Sequence, residues 1–366
     1  MTKDLEALSK PSRVADPDEG ISAEELQLAA RNHGLPLEAL QFDITPPGLH
    51  YLLTHYDIPA VDPVGYRMVV DGLVDTPLSL DLDEIRSRPR VSTVVTMECA
   101  GNGRARLDPR PVSQPWLVEA VGTSRWTGTP LAPLLREAGL HDGAVDVVFT
   151  GADHGIERGV EQDYQRGLPL SEAMSDDVLL AYEMNGSPLP PQHGYPLRLV
   201  APGWYGMAHV KWLARIDVVA ETFDGPQMRS YRLRQQPDER GVSLTRIEPR
   251  ALLVPPGFPD FMTRTRVLRA GPTTVQGRAW SGWAPIQAVD ISVDGGDTWT
   301  SAELEPAPDR WGWARWTWTW EATEGSYLLA ARASDSSGRS QPVEQPWNRG
   351  GFANNLVQRV PVVVSS

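Results

Sequence analysis

The sequence predicts an α+β chain in two parts. A mixed α and β part spans residues 35–244, after an arm and short helix at 1–34, and an all-β sandwich follows at 245–366. Three observations carry this reading. A chain of 366 residues is too long for one ordinary domain and suits two. Helical periodicity is present in the first part and vanishes near residue 245. Short alternating segments divided by turn residues then take over, as in a sandwich of about seven strands.

Residues 1–20 are polar and without period, and read as a loose arm. Ser22 to Glu25 form a capping-box pattern opening a short helix, with Gly34 as its stop. Residues 66–73 alternate like a strand entering a turn. Residues 91–97 are β-branched and apolar, the pattern of a buried strand. A helix follows, with Thr129 as cap, Pro130 in its first position, Leu131, Leu134, Leu135 and Ala138 on one face, and Gly139 at its end. Residues 145–150 and 178–184 read as strands, the second closed by an Asn185-Gly186 turn. Beyond 245, the segments 274–279, 288–293, 311–320, 326–334 and 356–364 read as strands, with a tight turn at 294–297. Trp316, Trp318 and Trp320 share one strand face, which suits core or interface packing.

Hydrophobic residues at 41% and charged residues at 22% describe a globular chain. A net charge of −13 argues against a nucleic-acid or anionic-membrane partner, though not against a small basic pocket. No stretch approaches the roughly 20 apolar residues of a membrane helix. The N-terminal residues lack an apolar export core or an arginine pair, and the single cysteine cannot close a disulfide, so the cytoplasm is the expected location.

Cys99 is the residue of greatest chemical interest. A lone cysteine is most often a small buried hydrophobe. This one ends a strand and opens Ala100-Gly101-Asn102-Gly103-Arg104, a turn that lets the backbone approach something closely beside a cation. A thiolate is a soft metal ligand, but one cysteine without a neighbouring His or Cys is no zinc site. Any metal here must take most of its ligands from elsewhere, such as an organic cofactor. A second cluster sets His193, Arg198, His209 and Lys211 among Gly and Pro turns, which suits an anion or leaves ordinary surface charges. Arg125 and His55 alone carry little signal, and Tyr231 and Arg349 none.

Together these segments resemble a known family. MECAGNGR (97–104) resembles the cysteine segment of the sulfite oxidases. Residues 120–139 and 179–213 are similar to further blocks of that family, and 288–304 and 346–362 to its C-terminal dimerisation domain. The resemblance spans about residues 35–364 and implies a sulfite-oxidase-type molybdopterin domain followed by an immunoglobulin-like dimerisation domain. It implies molybdenum held by molybdopterin, with Cys99 as the protein ligand of the metal. His55, Arg125, His193, Arg198, His209 and Lys211 would bind the cofactor. Arg104, Trp116, Tyr231 and Arg349 would line the oxyanion pocket. The implied reaction is oxidation of sulfite to sulfate by a homodimer, with an external electron acceptor such as a cytochrome. Reduction of an S- or N-oxide at the same metal, or a non-catalytic anion- or pterin-binding module, are the other readings. The chain departs from the resemblance at two positions. Leu53 stands where a sulfite-binding arginine is expected, and Ala208 replaces a basic residue before His209. One lost charge-assisted hydrogen bond weakens oxyanion binding by about 1.5–3 kcal/mol.

Overall fold

The computed structural model describes residues 13–366. Strands dominate, and the longest helices among the described residues are Ala23–Arg31 and Leu131–Ala138. Residues 13–20 depart from the expected loose arm. Val14 bridges Pro111, the Ala15 N–H donates to the Arg110 carbonyl, and the Ala15 side chain is buried. The rest of that arm, 1–12, lies outside the described residues. The Ser22–Glu25 capping box forms in both directions. The helix it opens stops at Arg31, before Gly34, because Asn32 turns extended. The Asn32 amide donates to the Leu28 carbonyl and accepts from the Thr54 N–H.

Two large sheets build the first part, beside a short pair of Arg232–Leu233 with Val242–Ser243. One runs Leu78–Leu80, Met68–Gly72, Leu213–Val219, Asp146–Glu157, Val160–Pro169, with a single parallel pair between Met68–Gly72 and Leu213–Val219. The other sets Val121–Pro130 between Val91–Glu98 and Leu179–Met184, which also pairs with Ser187–Pro188 and Arg198–Val200. Asn185 and Gly186 both take positive φ, 53° and 81°, as the tight hairpin turn requires. The strand Val121–Pro130 passes straight into the helix Leu131–Ala138. Thr129 is therefore committed to the sheet opposite Leu180 and does not cap the helix, a role Pro130 fills without a side-chain bond. The helix buries Leu131, Leu134, Leu135 and Ala138, as its periodicity requires, against Met68, Phe149 and Leu180 from the two sheets. Each such Leu or Phe contributes roughly 1.5–3 kcal/mol.

The second part is a sandwich. Four strands (Arg250–Leu253, Gly271–Trp280, Ala314–Ala322, Glu303–Leu304) share a core with six: Phe258–Pro259, Arg266–Arg269, Gln358–Ser365, Gly325–Asp335, Ile286–Ser292 and Thr300–Ser301. Every strand expected here is found. The count exceeds seven because three edge pieces are two residues long, too short to show any alternation. Trp316 and Trp320 lie in the core and Trp318 packs against it.

A third apolar cluster joins the two parts. Leu35, Leu40, Tyr205 and Tyr231 from the first meet Leu252, Trp280, Trp313 and Phe352 from the second. Among the described residues, no helix is long and apolar enough to cross a membrane.

Candidate active site

Cys99 follows directly on the buried end of Val91–Glu98. Its N–H donates to the Ala120 carbonyl, and the chain then turns back through bonds from Asn102 N–H to Cys99 O and from Arg104 N–H to Gly101 O. A Cβ at Gly101 would sit 2.5 Å from Arg104 Nη2, so glycine is what lets the guanidinium lie against this turn. The thiol borders two adjoining cavities that share Leu53, His55, Cys99 and Tyr231. Burial pushes the thiol up, opposed chiefly by the Arg104 charge. Trp116 Nε1 is close enough to the sulfur to favour its thiolate, yet has no proper hydrogen-bond partner.

The inner chamber encloses about 650 Å³, counting its open mouth. The clustered residues read from 193–211 converge on it. Arg198 is 5% exposed and donates to the carbonyls of His193 (2.9 Å) and His209 (3.2 Å), with its guanidinium over the Trp126 ring. Lys211 donates to the carbonyls of Leu53 (2.9 Å) and Gln192 (3.2 Å). Neither cation has a carboxylate ion-pair partner among the described residues. Burial lowers Lys211 to about 7, aided by Arg198 and opposed by Asp153. His193 and His209 are kept neutral by burial. His209 lines the chamber, but backbone satisfies both its nitrogens. Its Nδ1 accepts from Ala201 N–H (3.2 Å), so its Nε2 donates to the Trp204 carbonyl (3.1 Å).

Three lining residues had no sequence signal: His50, Asp153 and Tyr164. The strand Asp146–Glu157 loses register between Thr150 and His154, and such an irregularity re-aims a side chain, here buried Asp153. Burial raises Asp153 to about 6 against the pull of Lys211. His50 donates from Nδ1 to the Tyr51 carbonyl, leaving Nε2 as an acceptor.

The outer cavity is wider, about 1880 Å³ with its mouth. Arg104 reaches it with Nε on the Gly350 carbonyl and Nη1 on the Gln114 carbonyl, both at 3.0 Å, and its plane over Phe352. It too lacks a carboxylate partner among the described residues. Tyr231 Oη lies 2.7 Å from His55 Nε2. Burial holds this tyrosine protonated and this histidine neutral. Three expected residues line neither cavity, Trp116 standing buried behind the sulfur. Arg125 is exposed on Val121–Pro130, outside both cavities. Arg349 is tied by its N–H to the Arg234 carbonyl, and from its loop Phe352 lines the cavity instead.

Residues 55–227 match the oxidoreductase molybdopterin binding domain, and 259–365 the Mo-co oxidoreductase dimerisation domain. Sulfite oxidase of Gallus gallus is 36% identical over 345 residues, covering 86% of this chain and 72% of that protein. The chain belongs to the sulfite oxidase family. Mitochondrial sulfite oxidase of Mus musculus is 35% identical, covering 88% of this chain, which spans 62% of that protein's length. The crystal structure of the sulfane dehydrogenase SoxCD from Paracoccus pantotrophus superposes with a TM-score of 0.80 at 26% identity, covering 100% of this chain and 93% of that one.

Membership of the sulfite oxidase family implies molybdenum carried by molybdopterin, and the chamber's donor set fits it. His50 Nε2, Asp153 Oδ1 and Arg198 Nε line the chamber buried and without hydrogen-bond partners. Each such atom costs about 1–3 kcal/mol unless a ligand meets it. Two buried cations facing one carboxylate leave a positive surplus for an anionic cofactor. The chamber also gives a test of its own. Lys211 is lowered in the fold, so the penalty on its charged form is complete below about pH 7 and fades toward the ordinary value of 10.5. Cofactor-free protein therefore gains stability from this group as pH rises through that window. Melting curves from about pH 6 to about 10 should show that slope, and Lys211→Met should flatten it. Equal slopes in both proteins would exclude a buried, depressed lysine.

Proposed function

We propose that this chain oxidises sulfite to sulfate at a molybdenum bound by Cys99 and molybdopterin, and passes electrons to an external acceptor such as a cytochrome. One observation carries the reading: the buried Cys99 thiol sits where a cationic chamber meets a substrate-sized cavity, with Arg104 beside it. The relatives named sulfite oxidase, and the neighbour named sulfane dehydrogenase, support sulfur as the element oxidised.

In this reading Arg198, Lys211, His193, His50 and Asp153 hold the cofactor. When bound, it supplies two-electron oxygen-atom transfer. The protein's own groups do the rest. Arg104 holds the oxyanion through the guanidinium edge that no carbonyl occupies. With the proton of His55 on Nε2, that nitrogen donates to Tyr231 Oη, and the Tyr231 hydroxyl is left to donate to a substrate oxygen. Cys99, Arg104 and Tyr231 are themselves buried, which strengthens both interactions.

A homodimer also belongs to this proposal. The dimerisation-domain match supports it, as do Phe258, Phe261 and Met262, large apolar side chains exposed on one stretch of the sandwich. We further read the sandwich as immunoglobulin-like, the division between parts as falling at 244/245, and the reducing cytoplasm as the compartment that suits a lone free thiol. The deciding experiment is elemental and pterin analysis of purified protein, followed by sulfite-dependent cytochrome c reduction. About one molybdenum per chain with sulfite turnover is expected. Protein that binds the cofactor but leaves sulfite untouched would overturn the substrate, and protein that binds neither would overturn the whole reading.

A further inference from the structure

We propose that the preferred substrate class of this site is an organic sulfinate, R–SO₂⁻, oxidised to the sulfonate R–SO₃⁻, an inference that rests on the oxygen-transfer reading above. Three features of the outer cavity carry it. The first is charge. Arg104 is the cation beside Cys99, and its other groups here, Tyr231 and His55, are neutral. Three further arginines line the cavity: Arg13 pairs with Glu19, Arg31 with Asp57, and Arg158 lies close enough to act on the Arg104 charge. The single guanidinium beside the thiol matches a single negative charge. Sulfite near neutral pH is in part a dianion, whereas a sulfinate carries one charge throughout.

The second feature is polarity. Leu53 borders both cavities at the thiol, and Phe352 covers one face of the Arg104 guanidinium at 5.1 Å. An oxyanion with three equivalent oxygens gains nothing from an apolar wall, because each oxygen left against it loses water without a donor. A sulfinate turns two oxygens to Arg104 and Tyr231 and its carbon substituent to Leu53 and Phe352. The third is size. Even discounting the open mouth included in its 1880 Å³, the cavity exceeds a four-atom oxyanion, and its lining includes the apolar side chains of Tyr56, Leu28 and Ile156 among charged ones. An R group fits along this wall.

The chemistry balances. The sulfinate sulfur keeps a lone pair, as in sulfite, and forms one new S–O bond. Water supplies the oxygen, so R–SO₂⁻ + H₂O gives R–SO₃⁻ + 2 H⁺ + 2 e⁻, and no R–S bond breaks. The electrons leave singly to the external acceptor, a haem protein of the cytochrome class.

Calorimetric titration of the purified holoenzyme tests the site without turnover, using the product-like anions benzenesulfonate and sulfate. Benzenesulfonate should bind about tenfold or more tightly, from burial of the ring. Leu53→Arg should narrow or reverse that preference by adding a second cation and removing the apolar wall. In cytochrome reduction, benzenesulfinate should show a kcat/KM at least about tenfold above that of sulfite, from the same ring burial. Equal binding of the two anions by the unaltered protein, or sulfite outrunning sulfinate, overturns the proposal. The unaltered protein decides even if Leu53→Arg fails to fold. Sulfite turnover without sulfinate preference sinks this inference alone, whereas absence of molybdenum sinks the reading beneath it.

Discussion

Cys99→Ser protein should purify with its fold intact and its molybdenum lost. The substitution exchanges one atom of similar shape. The contacts that build the turn, Cys99 N–H to Ala120 O and Asn102 N–H to Cys99 O, are backbone bonds that the change does not touch. The chemical change is large. A thiolate is a soft, anionic ligand, whereas a buried serine hydroxyl stays protonated and hard, and binds the metal weakly. Loss of a ligand should exceed the 10–100-fold that outer-shell changes typically cost, so sulfite turnover should fall by more than about 100-fold. Elemental analysis and steady-state rates check the two halves. Melting of cofactor-free variant and cofactor-free parent should agree within a few degrees, by the usual scale for a neutral exchange. Full activity in Cys99→Ser would remove Cys99 from the metal.

Glu98→Ala should be among the most destabilising single changes in the chain. Glu98 precedes the proposed metal ligand and is buried with Arg250 of the sandwich. Their side chains are each 2% exposed, and Arg250 Nε lies 2.8 Å from Glu98 Oε1. The same carboxylate accepts from Trp280 Nε1 at 2.8 Å and from the Asn102 amide at 3.1 Å, while Arg250 also donates to the Asn354 carbonyl. One carboxylate thus ties the Cys99 turn to the second sheet system. Removing it leaves a buried guanidinium without its counter-charge, a loss of about 3–5 kcal/mol. The melting temperature should drop on the order of 10 °C. The double variant Glu98→Leu with Arg250→Met should recover part of that, since an apolar pair replaces the buried ion pair at little net cost while Trp280 Nε1 loses its acceptor. A single variant that melts with the parent would show the pair to be solvated and unimportant.

Much of the fold was legible because it is locally encoded. The β-branched run 91–97 is a strand because its side chains suit a buried, pleated surface. Leu131, Leu134, Leu135 and Ala138 make a helix face at any place in a chain, and Asn185-Gly186 makes its turn from two residues that tolerate positive φ. The errors are of the opposite kind. Thr129 looks like a cap but is held by the neighbouring strand, and residues 13–20 look loose but are pinned by Arg110 and Pro111.

The site divides in the same way. Position 99 was readable from one cysteine at a strand end followed by glycines, and Arg198 and Lys211 from their apolar, turn-rich setting. Motif order by itself determined the family, and it singled out the cysteine proposed here as the metal ligand. Only tertiary structure decided which polar atoms face the chamber. Asp153 enters through a slip in register, His209 is satisfied by backbone, Arg125 points to solvent, and Glu98 meets Arg250 from a distant strand. A strand's period of two says which residues share a face, but what that face meets is set by non-local packing. Hydrogen-bond satisfaction, burial and charge compensation depend on those distant neighbours, and no local pattern encodes them.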